Sequence, residues 1–207
     1  MPIITDMQIQ KNNKSRANVY IDGQFAMALE MLTVMKLGLK IGKEVSAEQL
    51  AKASFDSEKM VAFDKAVDYL SRGYKTQKQM HDYLVKKGFE KAVVDYVLYK
   101  LNDYGYVNDA HYAQLYVQQN VKNKGDVRLR QELRQRGISA ELVDSTVCTD
   151  SDVALENAQA LAQKYLKNKP IDTKNIQRLQ RYLLGRGYCY EVVNSVVKDY
   201  LAQVEQG

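Results

Sequence analysis

One phrase occurs three times in this chain, and it limits the possible folds more than any other feature. It reads Met80-x3-Leu84-x3-Gly88-Phe89 followed by Val93-Val94. It returns as Leu129-x3-Leu133-x3-Gly137-Ile138 followed by Leu142-Val143, and as Leu179-x3-Leu183-x3-Gly187-Tyr188 followed by Val192-Val193. The glycines fall 49 and 50 residues apart, and a nearly fixed period of this size marks a repeat architecture. Large apolar residues four apart share one helix face. A glycine four further on ends that helix, because it takes the left-handed conformation without a Cβ clash. The apolar residue after it folds back on the last turn, and the next apolar pair opens the buried face of a second helix. Leu-x3-Leu and Gly are common in any helical protein, so one copy says little. Three copies with the same four-part spacing point to a shared unit of helix, glycine stop, helix.

The period sets the reading of the rest. Only Pro2 and Pro170 interrupt 207 residues, which leaves most of the chain free to be helical. Tyrosines such as Tyr69, Tyr83, Tyr96, Tyr112 and Tyr116 fall at helical core positions. Their hydroxyls predict shallow, half-wet packing layers. Ile3 to Gln10 alternates apolar and polar residues, as a strand does. Asn18-Val19-Tyr20-Ile21 and Gln24-Phe25-Ala26-Met27 flank Asp22-Gly23, a strong hairpin signal because both turn residues need positive φ. Glu30 to Lys36 reads as one or two helical turns ending at Gly38, Lys40 to Val45 as a further short strand, and Ala47 to Ala53 as a helix capped by Ser46. From Ser57 on, Met60, Phe63, Val67 and Leu70 line one helix face. Thr76 caps Gln77 to Lys87, and Lys91 to Tyr104 buries Val94, Val97, Leu98 and Leu101 before Gly105. Asn108 or Asp109 caps the next helix, Asp126 caps Val127 to Arg136, and Ser139 caps Ala140 to Cys148. The last three helices run over about 153–167, 173–185 and 189–203.

The expected fold is therefore mainly α. Three tandem three-helix repeats form an elongated, curved, solenoid-like array, preceded by a small N-terminal module containing a β-hairpin. The expected divisions are 1–55, 56–107, 108–150 and 151–207. Two cysteines, Cys148 and Cys189, cannot build a disulfide framework and read as buried thiols in a reducing compartment. Asp6 and the polar run Gln10 to Arg16 interrupt any leader peptide. The longest wholly apolar run, Phe25 to Leu29, is far too short to span a membrane. A cytoplasmic protein is expected.

The net charge of +5 and pI near 9.0 lean towards a polyanionic partner. Residues 122–136 hold six basic and two acidic side chains, and residues 164–186 seven and one. Lys122, Lys124, Arg128, Arg130, Arg134 and Arg136 lie on or just before one helix, with few acids nearby to balance them. Arg178, Arg181 and Arg186 occupy the matching helix of the third repeat, Arg178 opposite Arg128 and Arg181 opposite Gln131. Arginine's planar fork suits phosphate or carboxylate, so these nine residues are the candidate partner or phosphate contacts. A merely solvated basic face stays open beside that reading. His81 and His111 form no cluster with the cysteines, so no metal is expected. No phosphate-cradling loop, dinucleotide fingerprint or nucleophile triad occurs in usable context. No cofactor and no enzymatic activity are expected.

The residues Tyr69-Leu70-Ser71-Arg72, Leu84-Val85-Lys86-Lys87-Gly88-Phe89, Tyr106-Val107-Asn108-Asp109, Gly125 and Glu132-Leu133-Arg134-Gln135-Arg136-Gly137-Ile138, in this order and spacing, resemble the RecX family. The resemblance covers most of residues 60–145 and extends more loosely to the third repeat. The hairpin with Val19-Tyr20-Ile21-Asp22-Gly23 looks like the extension of longer Gram-positive members. Two departures occur: Tyr74-Lys75-Thr76 stands where many members have Arg-Ser or Arg-Thr, and Gly125-Asp126 where many have Gly-Pro. The first keeps a base and the second still supplies a helix start. The resemblance implies a bacterial regulator that binds the RecA recombinase, lies along RecA-coated single-stranded DNA, and inhibits strand exchange and ATP hydrolysis. It also implies a string of three-helix repeats. A monomer with no membrane partner is expected. The alternative is a direct DNA-binding helical repeat protein, using helix-turn-helix-like pairs without a protein partner.

Overall fold

Each glycine of the repeated phrase ends its helix by the same hydrogen bonds. A computed structural model describes residues 2–11 and 13–205. In it Gly88, Gly137 and Gly187 have φ of 86°, 88° and 89°. Each donates its N–H to the carbonyl three residues back, at Val85, Arg134 and Leu184, all at 2.9 Å. The next residues, Phe89, Ile138 and Tyr188, donate to the carbonyls five back, at Leu84, Leu133 and Leu183. This pair of bonds satisfies carbonyls that a helix end otherwise leaves orphaned. Ile138 and Tyr188 are buried, so the residue after the glycine folds back as the spacing predicts.

The chain divides into two compact units, Met1–Lys75 with Gln79–Val107, and Thr76–Lys78 with Asn108–Gly207. In the first, β1 (Ile4–Ile9), β2 (Arg16–Ile21) and β3 (Gln24–Glu30) form an antiparallel sheet in the order β1-β2-β3. Asp22 and Gly23 join β2 to β3 with φ of 47° and 80°, the positive pair that the Asp-Gly signal requires. The short helix α1 (Met31–Lys36) follows. Ile4, Val19, Leu29, Val34 and Val45 close a small core here. The strand expected over Lys40 to Val45 is not formed. That stretch turns at Gly42, φ 81°, and makes one isolated bridge, Ile3 to Glu44.

Helix α2 (Ala47–Leu70) corrects a second expectation. Two helices with a pause near residue 55 were predicted, and one continuous helix of 24 residues is found. Nothing between Ala53 and Glu58 breaks a helix. Ser57 is instead buried, and its hydroxyl accepts the Glu30 N–H at 2.8 Å. One helix thereby serves two cores, packing on β3 and α1 and also on α4 (Lys91–Asp103). Its fully buried residues include Ala53, Ala62 and Ala66, whereas Val67 is 40% exposed. Small residues let α4 approach closely, which displaces the large apolar face expected from periodicity. Helix α3 (Gln77–Lys86) buries Met80 and Leu84, and α4 buries Val94, Val97, Leu98 and Leu101.

The second unit holds the other two repeats. Helices α5 (Asp109–Asn120), α6 (Asp126–Gln135) and α7 (Ala140–Thr146) surround Leu129, Leu133, Ile138 and Val143. Helices α8 (Ser151–Leu166), α9 (Thr173–Gly185) and α10 (Tyr190–Glu205) surround Leu161, Ile176, Leu179, Leu183 and Val193. Asn108, Ser139, Asp150 and Asp172 cap α5, α7, α8 and α9 through side-chain oxygens. Asp126 is not the cap of α6. Gly125 holds that place, and the Asp126 carboxylate accepts the Thr149 N–H. Both cysteines are exposed, against expectation. Cys148 follows the end of α7, where Val147 takes the core position, and Cys189 precedes α10, where Tyr188 does. Tyr69, Tyr83, Tyr112 and Tyr116 are half-buried as predicted, while Tyr96 is exposed.

Candidate functional site

The basic helix α6 starts against the end of α9. Gly125 donates its N–H to the Arg186 carbonyl at 3.0 Å, and Val127 to the Gly187 carbonyl at 3.1 Å. First-turn N–H groups that lack an intrahelical partner thus meet carbonyls at another helix's C-terminus. Positive and negative dipole ends are brought together. The contact is close enough that a Cβ on Gly125 would overlap the Gly187 carbonyl, and a Cβ on Gly187 would overlap Arg128. The end of α6 repeats the arrangement. The Thr76 hydroxyl donates to the Arg136 carbonyl at 2.6 Å, and a Cβ on Gly137 would overlap the Lys78 side chain.

This joint fixes where the nine candidate bases lie. Lys124 Nζ meets Glu132 Oε2 at 2.6 Å and the Tyr116 hydroxyl at 2.9 Å. Arg128 Nε meets Glu132 Oε1 at 3.0 Å, and Arg128 Nη1 donates to the Gly185 carbonyl at 2.9 Å. Arg130 Nη2 donates to the Val147 carbonyl at 2.6 Å and lies 3.5 Å from Asp126. Arg134 meets Asp144 at 3.1 Å. Arg136 lies over the Tyr116 ring, 4.4 Å from its centroid. Lys122 is exposed. In the third repeat Arg178 reaches Asn175 Oδ1 at 3.4 Å, Arg181 reaches the Gln177 carbonyl at 3.4 Å, and Arg186 lies 5.1 Å from the Tyr182 centroid.

The helix α6 bases are therefore partly balanced, more so than the count of acids along the sequence had it: Lys124, Arg128, Arg130 and Arg134 meet carboxylates. Asp126 and Glu132 pair within the helix and Asp144 reaches over from α7. Asp144 lies outside the stretch that was counted, and only folding brings it near. Arg128 and Arg134 still keep 44% and 52% of their side-chain surface exposed, so they can reach a partner while anchored at one end.

Glu132 is the electrostatic centre of this group. Burial works to raise its pKa, but hydrogen bonds from Lys124, Tyr116 and Arg128 outweigh burial and hold it down to about 2. Burial works to lower the Lys124 pKa, and its hydrogen bonds to Glu132 and Tyr116 reverse that and raise it. Sequence reasoning named the bases and missed Glu132, Tyr116 and Asp144. The 49-residue offset could have signalled Glu132, since it places an acid opposite Tyr83.

The first unit has a cleft of about 400 Å³ bordered by Lys36, Lys59, Phe63, Tyr96, Lys100 and Tyr104. Two of its cations are engaged. Lys59 pairs with Asp56 at 2.6 Å and lies 4.5 Å from the Tyr96 centroid, and Lys100 meets Asp103 at 3.6 Å. Among the described residues, no group of three or more His, Cys, Asp or Glu side chains could hold a metal ion, and no helix is long and apolar enough to cross a membrane.

Four stretches of the chain match the domains of one known family. Residues 2–46 match the regulatory protein RecX N-terminal domain, and residues 62–101, 108–147 and 152–197 match the first, second and third three-helix domains of RecX. A regulatory protein RecX of Clostridium tetani (strain Massachusetts / E88) is 32% identical over 203 residues, 96% of this chain and 94% of that one. The chain belongs to the RecX family. Another RecX, from Bacillus pumilus (strain SAFR-032), is 32% identical, covering 100% of this chain and 81% of its own length. A crystal structure of regulatory protein RecX aligns with a TM-score of 0.70 at 27% identity, covering 96% of this chain and 100% of that one. RecX from Lactobacillus salivarius shares the fold, with a TM-score of 0.62 at 21% identity over 69% of this chain and 96% of that one. The RecX relatives are regulatory proteins by name, and this chain carries their N-terminal domain and all three helical domains.

Proposed function

We propose that this RecX-family chain is a non-enzymatic regulator that binds RecA and RecA-coated single-stranded DNA in the cytoplasm, and inhibits recombination and ATP hydrolysis. The observation that carries this reading is the match to a family of regulatory proteins in all four of its domains, in order along the chain. It acts as a monomer, needs no cofactor and has no membrane partner. Its working divisions are 1–55, 56–107, 108–150 and 151–207, the first boundary lying inside the continuous helix α2. Lys122, Lys124, Arg128, Arg130, Arg134, Arg136, Arg178, Arg181 and Arg186 are the proposed contacts. Arg128 and Arg134 are the strongest of them, being anchored yet exposed.

RecA-dependent ATP hydrolysis on single-stranded DNA, followed as this protein is added in rising ratio, tests the reading. Hydrolysis should fall progressively, and a rate unchanged at every ratio would overturn the proposal. The second reading, direct DNA binding without a protein partner, is favoured by the bases on α6 and α9. A salt titration separates the two. Binding carried by phosphates alone falls steeply with salt and is the same on bare DNA. A filament regulator prefers RecA-coated DNA and keeps part of its affinity at high salt.

A further inference from the structure

Helices α3, α6 and α9 stop in the same way, and what lies against each stop differs. At the end of α6 the Thr76 hydroxyl donates to the Arg136 carbonyl, and the Lys78 side chain packs on Gly137. At the end of α9 Gly125 and Val127 donate their N–H groups to the Arg186 and Gly187 carbonyls, and Arg128 packs on Gly187. Each of these two stops is thus a socket, filled by the first turn of another helix. The negative end of one helix dipole receives the positive end of the next. Both occupants have glycine or threonine at the N-cap position and a base within the first turn, at Lys78 and at Arg128.

The matching surface at the end of α3 is open. Lys87 and Gly88 hold the places of Arg136 and Gly137, and of Arg186 and Gly187. Among the described residues, neither the Lys87 nor the Gly88 carbonyl accepts a hydrogen bond. A Cβ on Gly88 would meet nothing within 4 Å. A hollow of about 320 Å³ lies beside this stop, bordered by Arg16, Glu58, Val61 and the run Lys87 to Glu90. Val61 and Phe89, both half-buried, give it an apolar floor. Its carboxylates are unclaimed: among the described residues Glu58 and Glu90 form no ion pair, and the Glu90 side chain makes no cap to α4. The counterparts of Glu90 are Ser139 and Cys189, which bring no acid to the filled sockets. The Arg16 guanidinium is turned to Glu30 at 3.3 Å and to the Ala28 carbonyl at 3.0 Å. Lys87 lies 5.5 Å from the Tyr83 centroid.

We propose that the end of α3 is a docking socket for the N-terminus of a helix in a partner protein. The occupant has glycine or threonine at its N-cap, first-turn N–H groups free to reach the Lys87 and Gly88 carbonyls, and a lysine or arginine in its first turn. Glu58 and Glu90 complement that base. A second copy of this chain does not supply such a helix. The first turns of α3 and α6 already fill the sockets at Gly137 and Gly187. In α9 the residue matching Thr76 and Gly125 is Asn175, which lies inside the helix because α9 starts at Thr173 and is capped by its own Asp172. The inference adds a protein contact to the proposed function, at a surface apart from the nine bases.

Biolayer interferometry of RecA on the full chain, without DNA, tests it, and rests on RecA being the partner of the proposed function. Asparagine is tolerated in the left-handed conformation, so Gly88→Asn fills the socket and keeps the helix stop. It should bind RecA several-fold more weakly. Gly105→Asn is the matched control, with φ of 70° and nothing within 4 Å of a Cβ, and should bind as the natural chain does. Glu58→Lys combined with Glu90→Lys should weaken binding as Gly88→Asn does. Thermal melts by circular dichroism establish that the variants fold. Folded socket variants that bind RecA as tightly as the natural chain would overturn the inference, and the proposed function stands if they still inhibit RecA-dependent hydrolysis. If the natural chain itself binds no RecA, the proposed function fails, and a peptide of residues 121–138, which carries the first turn of α6, decides the socket. Nuclear magnetic resonance shifts at Gly88 and Glu90 on adding that peptide support the inference, and their absence overturns it. A concentration-dependent dimer that Gly88→Asn abolishes would also overturn it, by assigning the socket to a second copy of the chain.

Discussion

Gly88 and Gly137 have nearly the same φ, and they differ in what surrounds them. A Cβ on Gly88 would meet nothing within 4 Å, whereas one on Gly137 would overlap Lys78. Gly88→Ala should therefore cost about 1–2 kcal/mol, the penalty for a left-handed residue with a Cβ. Gly137→Ala should cost that and about 1–3 kcal/mol more, as overpacking does. Urea melts giving equal losses would mean that Gly137 acts only as a helix stop. Glu132 makes a pH prediction. Its folded pKa is lowered to about 2 from an ordinary 4.5, so the carboxylate stabilises the fold fully above about pH 4.5. That contribution is lost as pH falls from there through 2. Melts across that window should show a decline in the natural chain that is smaller in Glu132→Gln. An identical decline would place the acid sensitivity elsewhere.

Helices of this protein owe their lengths to what they must cover. Helix α2 is twice a usual helix because it serves the sheet module at one end and α4 at the other. Asp56→Pro, in its middle, should cost about 3 kcal/mol or more, read by guanidinium melts. A smaller loss would mean that the two halves are held independently. Helices α6 and α9 carry a different constraint. Their ends meet through Gly125, Val127, Arg186 and Gly187, so their dipoles and orphan groups satisfy one another. A base at the end of α3, α6 and α9, at Lys87, Arg136 and Arg186, lies over a half-buried tyrosine. A buried-face analysis of any one helix misses that pattern, because it lives on the helix end.

At the scale of the whole molecule, stability is shared between neighbouring repeats, as nearest-neighbour terms are in repeat proteins. The second and third repeats share two backbone hydrogen bonds at Gly125 and Val127. Gly125→Ala keeps an ordinary φ but drives a Cβ into the Gly187 carbonyl. It should uncouple the two repeats. Native-state hydrogen exchange should show the amide of Val127 losing protection and α9 opening separately from α6. Joint opening of both helices in the variant would mean that other contacts hold the repeats together.

The helix count within each repeat, the glycine stops, the hairpin at Asp22-Gly23 and most side-chain caps were legible in the residues themselves. They depend on backbone preferences and periodicity, which act over a few positions. The continuity of α2, the exposure of both cysteines and the pairing of Arg130 and Arg134 with Asp144 were not legible. Ser57 meets Glu30 across 27 residues, and Arg134 meets Asp144 across 10. Such partners are chosen by packing, and a one-dimensional pattern carries no distance between them. Sequence alone placed a charged helix in each of the last two repeats. Tertiary structure decided that the bases of one would pair with Asp126, Glu132 and Asp144, while among the described residues those of the other form no ion pair.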